Sequence, residues 1–184
     1  MAQSPSNNVE FRRIFDAYFD EVQRYCGRRL SPEDANDALA EVFLVAWRRL
    51  EAVPPDEEAL PWLIGVARNA VRNVSRSRRR STRLTIRARS VGGSVVPSPE
   101  MQVVKAAEYG EVAHALESLR PDDREIIRLR AWEELTAPQI ASAFGISVSA
   151  AEKRIARAIK RLESAVMQRR TSVRPREIEK GGDA

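Results

Sequence analysis

The spacing of its apolar residues constrains this chain more than any other feature. Phe11, Ile14, Phe15, Tyr18, Phe19, Val22, Tyr25 and Cys26 recur at the three- and four-residue intervals that line one side of an α-helix. A second stripe runs through Ala35, Ala38, Leu39, Val42, Phe43, Ala46, Trp47 and Leu50. It follows Ser31-Pro32-Glu33-Asp34, a serine suited to the N-cap, a proline for the first helical position and acids for the first turn. It stops before Pro54-Pro55. A third stripe, Leu63, Val66, Ala67, Ala70, Val71 and Val74, begins after Pro61. Each helix has an apolar side that water disfavours, so the three are expected to pack around one core. Residues 81–99 lose this spacing and contain Gly92-Gly93, two prolines and several Ser and Thr, which predicts a flexible linker.

Helical spacing resumes near Met101 and continues through Val112, Leu116 and Leu119 to Pro121. A short helix with Ile126, Ile127 and Leu129 inside follows. Thr136-Ala137-Pro138-Gln139 has the form of a capping box, with Thr at the N-cap and Gln three residues later. The helix it opens, Ile140 to Phe144, ends at Gly145, a residue suited to a left-handed turn. Ser147 then caps a longer helix whose apolar side is Val148, Ala151, Ile155, Ala158, Ile159, Leu162 and Val166. A short helix, a glycine turn and a longer amphipathic helix make a helix-turn-helix. The expected fold is all-α: a helical bundle over residues 9–80, a linker over 81–100, a helix-turn-helix domain over 101–167, and a disordered tail over 168–184.

Composition removes most alternatives. Eight glycines and 6% aromatics do not suit a strand-rich sandwich or barrel. One cysteine, Cys26, and one histidine, His114, cannot supply the roughly four ligands of a Cys/His zinc site or a disulfide framework. No metal and no cofactor is expected. His114 lies in an Ala/Glu-rich helical stretch away from any nucleophile motif. The densest apolar run, Val42 to Trp47, falls far short of the roughly 18 residues of a membrane span, and the N-terminus lacks the pattern of a signal peptide. A single cysteine fits a cytoplasmic protein.

The net charge of +5 conceals a strong asymmetry. Residues 1–58 carry 7 basic and 12 acidic groups, residues 59–99 carry 9 arginines and no acid, and residues 100–184 carry 15 basic and 14 acidic groups. An arginine block behind an acidic lobe suits a polyanion partner, although a solvated basic connector has the same composition. On the longer helix of the helix-turn-helix, the polar side holds Ser149, Glu152, Lys153, Arg154, Arg157, Lys160 and Arg161. Arg154, Arg157 and Arg161 are spaced to form one ridge. A recognition helix needs this arrangement to reach base edges and phosphates; a solvated packing helix could also carry it. In the first lobe, Asp34, Asp37 and Glu41 form a row opposite Leu39 and Phe43. With no histidine nearby, a docking surface for a basic partner fits them better than catalysis. First-turn acids complementing the helix dipole would explain Asp34 but not Glu41. The third helix sets Trp62 beside Arg68, Asn69, Arg72, Asn73 and Arg76. Rings and cations together suit single-stranded nucleic acid, while Trp62 fits a core position equally well. Trp132 is read as core.

These residues, in this order, resemble bacterial sigma-70-type factors of the extracytoplasmic function (ECF) group, which keep only regions 2 and 4 joined by a linker. The run from Asp34 through Asp37, Glu41 and Phe43 to Trp47 is similar to the region 2.2 pattern. Pro61-Trp62-Leu63 through Ala67-Arg68-Asn69 is similar to region 2.3. Leu119 to Glu125 and Gly145-Ile146-Ser147-Val148 are similar to region 4 and its helix-turn-helix. The resemblance covers roughly residues 10–80 and 101–167, and two motif sets in order are specific. It implies a promoter-recognition subunit without catalysis of its own, whose partners are core RNA polymerase and promoter DNA. Asp34, Asp37 and Glu41 would meet the β′ clamp helices, and the polymerase β flap would be a further contact. Trp62, Arg68, Asn69, Arg72 and Arg76 would recognise and hold the melted minus-10 strand. Ser149, Lys153, Arg154, Arg157 and Arg161 would read the minus-35 duplex. Family members are commonly held by an anti-sigma factor, which makes one a possible partner here; direct membrane insertion is not expected. The chain departs from the family patterns at Asn36 and Ala40 in region 2.2 and at Ala150 and Glu152 in the recognition helix. A stand-alone helix-turn-helix regulator is the alternative.

Overall fold

A computed structural model describes residues 5–88 and 108–173 of the chain. In chain order the helices are α1 (Pro5–Gly27), α2 (Pro32–Arg48), α3 (Ala59–Ala88), α4 (Glu108–Ser118), α5 (Pro121–Ala131), α6 (Ala137–Phe144) and α7 (Val148–Val173), with short 3₁₀ turns at Leu50–Ala52 and Asp56–Glu58. No strand occurs among the described residues.

The first lobe, α1 to α3, is built on aromatic contacts. Phe11, Phe15 and Phe19 follow one another along α1 and meet Phe43 and Trp47 of α2. The ring centroids lie 5.0 Å apart for Phe11–Trp47 and 4.7 Å for Phe15–Phe43. Tilted and edge-on pairs at such distances add to the stabilisation from burial alone. Beneath them Val22, Tyr25, Val42, Ala46, Leu63, Ile64 and Ala67 are almost wholly buried. The second lobe, α4 to α7, has a core of smaller groups: Ala115, Ile126, Leu129, Leu135, Ile140, Ala151 and Ala158.

Three features depart from the spacing argument. Helix α3 continues to Ala88, past residue 81, where a linker was expected to begin. Residues 81–88 hold neither Gly nor Pro, so nothing in the backbone chemistry stops the helix there. Residues 89–99, including Gly92-Gly93, and residues 101–107, including Met101, lie outside the described residues. Helix α7 continues to Val173, so the first part of the expected tail is helical; the remainder lies outside the description. Val148 and Ile159, placed on the apolar side of α7, are 43% and 44% exposed.

The lobes also touch. A single apolar cluster runs from Ile14 and Phe43 in the first lobe to Ile140, Ala143 and Ala158 in the second. Helix α3 packs on α1 and α2 on one side and on α6 on another. Gly65 permits this approach, because a Cβ there would come within 3.0 Å of the Ala143 carbonyl oxygen.

Candidate nucleic-acid and polymerase-docking surfaces

The helix-turn-helix forms as its capping residues dictate. The Gln139 backbone N–H donates to Thr136 Oγ1, and the Thr136 N–H donates to Gln139 Oε1 at 2.8 Å, completing the capping box. Gly145 adopts φ 62°, ψ 42°, the left-handed region that a side chain disfavours. The Ile146 N–H then donates to the Ala141 carbonyl at 3.0 Å, and Ser147 Oγ accepts from the Ala150 N–H at 3.2 Å. Both ends of the turn are therefore pinned. This fixes the start of α7 relative to α6 and aims its first turns outward.

On α7, Ser149, Lys153 and Arg157 are exposed, while Arg154 is half-buried. Arg157 Nε donates to the Lys153 carbonyl at 3.1 Å. Arg161 pairs instead with Asp123 of α5. The expected ridge of Arg154, Arg157 and Arg161 is thus divided, with its last member turned towards the helix packed beside it.

On α2, Asp37 and Glu41 are exposed, a turn apart on the open side. Asp34 is less free: it accepts a hydrogen bond from Ser31 Oγ at 3.1 Å and pairs with Arg78 of α3. Arg78 also donates to Ser31 Oγ at 2.8 Å. Ser31 occupies the N-cap position, but its side chain serves this cluster and makes no capping bond to the backbone.

On α3, Trp62 is half-buried and packs against the core. Asn69 and Arg76 are exposed. Arg68 is not: its side chain is 12% exposed, donates to Asp122 Oδ1 at 2.9 Å and lies 3.9 Å from the Phe144 ring centroid. Arg72 stands 3.7 Å from the same carboxylate oxygen. A cleft of about 380 Å³ separates this face of α3 from α5, with Arg76, Arg124 and Arg128 also along its walls. Burial lowers the Arg128 pKa, Glu117 opposing and Arg29 and Arg124 adding to the effect.

Arg29 of the loop between α1 and α2 belongs to no apolar stripe and no polar ridge. Its side chain is 3% exposed. It donates to both oxygens of Glu125, at 3.2 and 3.1 Å, to Glu133 Oε1 at 2.9 Å and to the Tyr25 carbonyl at 3.0 Å. Its guanidinium lies 3.6 Å from the centroid of the Tyr25 ring. Tyr25 Oη donates to Glu125 Oε1 at 2.7 Å. Burial works against the charge on Arg29, but the facing Tyr25, Glu125 and Glu133 outweigh it and hold its pKa above the ordinary value. Burial foremost, with Glu125 second, pushes the Tyr25 phenol well up. Trp132, expected in the core, instead lies half-buried at this seam, with Arg28 of the first lobe and Arg128 of the second both facing its ring at 5.8 and 5.3 Å. Its lost burial is offset by cation–π contact. No signal for Arg29 exists within its own helix, because Glu125 and Glu133 lie 96 and 104 residues away.

Two family profiles match the chain: Sigma-70 region 2 over residues 14–81 and Sigma-70, region 4 over residues 109–162. The RNA polymerase sigma factor CnrH of Cupriavidus metallidurans is 33% identical over 139 residues, spanning 71% of this chain and 72% of that protein. The RNA polymerase sigma factor NccH of Alcaligenes xylosoxydans xylosoxydans is 32% identical over 155 residues, spanning 77% and 82%. Among solved structures, the sigma factor RpoE in complex with the anti-sigma factor NepR from Bartonella quintana aligns with a TM-score of 0.60. It is 20% identical and covers 85% of this chain and 96% of that one. CnrH in complex with the cytosolic domain of CnrY aligns with a TM-score of 0.57 at 24% identity, covering 86% and 88%.

Proposed function

The chain belongs to the sigma-70 family of RNA polymerase sigma factors, in its ECF group, and from that membership we propose how its surfaces divide the work of the family. Sigma factors direct core RNA polymerase to promoters and are not themselves enzymes. The stand-alone regulator reading is not favoured, because the family match covers the first lobe as well as the helix-turn-helix.

In this reading residues 9–80 dock on polymerase and engage the minus-10 element, residues 81–100 connect the lobes, and residues 101–167 read the minus-35 element. Asp37 and Glu41 meet a basic polymerase surface of the β′ clamp helices, and Asp34 joins them once Arg78 releases it. Trp62, Arg68, Asn69, Arg72 and Arg76 serve the melted strand; Ser149, Lys153, Arg154, Arg157 and Arg161 serve the duplex. The β flap is the second polymerase contact. DNA opening draws on binding free energy, with no catalytic step in this chain. A cytoplasmic location suits such a protein, and no helix among the described residues is long and apolar enough to cross a membrane. An anti-sigma factor is the partner of one of the structural relatives, and we assign this chain the same kind of partner.

One observation carries this reading: the pinned helix-turn-helix leaves Ser149, Lys153 and Arg157 open on the outer side of α7. The test is transcription with purified components. Core RNA polymerase plus the chain should start transcripts at discrete sites in a genomic promoter library, and either alone should not. Failure to initiate at saturating protein refutes it.

A further inference from the structure

The cleft between α3 and α5 holds more positive charge than the acids around it neutralise. Six arginines line it: Arg68, Arg72 and Arg76 from α3, Arg124 and Arg128 from α5, and Arg29. Asp122 and Glu125 share its walls, and Glu117 and Glu133 pair with its arginines from outside the lining. Six guanidinium groups against four carboxylates leave two positive charges unanswered.

The shortfall is visible in single bonds. Arg76 has no carboxylate partner among the described residues. Arg72 only approaches an Asp122 oxygen that Arg68 already holds. The Nε atoms of Arg124 and Arg128 are buried and meet no acceptor among the described residues, and a buried donor left unmet is costly. A walled cleft of one sign of charge concentrates anions.

Spacing selects among anions. Arg68, Arg72 and Arg76 stand four residues apart, as do Arg124 and Arg128, so successive arginines leave each helix about 6 Å apart. One phosphoryl group answers one rung of this ladder, and two linked groups answer two. Each guanidinium can donate a parallel pair of hydrogen bonds to a phosphoryl group. The cleft, at about 380 Å³, lies within the range of small-ligand sites. Its one aromatic lining residue, Tyr25, has its ring covered by Arg29, so phosphates are recognised here and a base is not.

We propose that this cleft is a binding site for a pyrophosphate group, free or carried by a nucleoside diphosphate, held between the arginines of α3 and α5. The ligand is a small anion and not a nucleic-acid strand, so the site goes beyond the promoter-binding roles given above. It needs neither polymerase nor DNA to form. Binding to the folded chain alone stabilises it by mass action.

Isothermal titration calorimetry of the full chain with sodium pyrophosphate, at about 0.15 M salt to screen diffuse attraction, is the test. Pyrophosphate should bind at a single site, about tenfold or more tighter than inorganic phosphate or sulfate, and raise the thermal unfolding midpoint. ADP distinguishes the sources: ADP matching pyrophosphate identifies a nucleotide's diphosphate, and weaker ADP binding identifies free pyrophosphate. Arg76→Gln, which has no internal ion pair to lose, should retain helical circular dichroism and weaken binding about tenfold. Arg128→Gln should do the same from the opposite wall; if it fails to fold, Arg76→Gln decides the matter. Arg12→Gln, at an exposed position of α1, should leave binding unchanged. The proposal is overturned if millimolar pyrophosphate does not bind, or if phosphate or sulfate binds as tightly, which would mean an adventitious ion only. It is equally overturned if Arg76→Gln binds pyrophosphate as Arg12→Gln does. Loss of polymerase-dependent initiation would strike the functional reading instead and leave the titration standing.

Discussion

Helices α3 and α7 carry the same chemistry, arginines spaced along one polar side, yet the fold treats them differently. The first turns of α7 emerge from a capped turn with Lys153 and Arg157 open to water. The middle of α3 lies against α6 and faces α5 across a cleft, where Arg68 has lost most of its exposure to Asp122 and Phe144. Spacing determines which residues share a face. Only the packing of more distant elements determines whether that face is available.

Substitutions can sharpen this contrast, the largest effect coming from the core that positions α3. Leu63 is fully buried, so Leu63→Ala should destabilise the protein by about 2–5 kcal/mol in chemical denaturation. Val148→Ala, at an exposed apolar position on α7, should stay within about 0.5 kcal/mol. Equal effects would mean that α7 is buried as deeply as α3. Thr136→Ala removes the capping box and should cost about 1 kcal/mol; it should also weaken duplex binding, because α7 loses its fixed start. Arg157→Ala should weaken binding to a minus-35 duplex about fivefold, as expected for one charge-assisted contact, and flatten the salt dependence by about one phosphate. Asp37→Ala should leave that duplex affinity unchanged and weaken capture by core polymerase; reduced DNA binding would break the division of labour. The last effect is on pH. Burial, opposed by Arg29, pushes the Cys26 thiol up to about 11. The unfolded thiol ionises near 8.5, so its contribution to stability is complete below that pH and disappears as pH rises through 11. Denaturation midpoints should fall over this window, and less so in Cys26→Ala.

Much of this architecture was visible in the sequence because it is local. Thr136, Gln139, Gly145 and Ser147 signal one another within a dozen residues, and each forms the cap or turn that its chemistry implies. The apolar stripes of α1 and α2 likewise name their buried residues. What escaped depends on distance or on water. Ser31 marks the start of α2, but Arg78 and Asp34 claim its hydroxyl. The continuation of α3 to Ala88 follows from a run without Gly or Pro, which no stripe reveals. Trp132 looks like core filler until Arg28 and Arg128 are found facing its ring. Gly65 breaks a good helical stripe, and only Ala143 of the other lobe explains why.

Arg29 also sets a clock. Its hydrogen-bond partners Glu125 and Glu133 lie 96 and 104 residues further along the chain. At roughly 5–20 residues per second of synthesis, a ribosome needs about 5–20 seconds to supply them. During that interval the first lobe can fold on its short-range contacts with Arg29 still hydrated and the α3 arginines uncovered. The nascent chain is therefore more basic on that face than the finished one. It becomes quiet only when the last third of its sequence arrives to answer a charge laid down near the start.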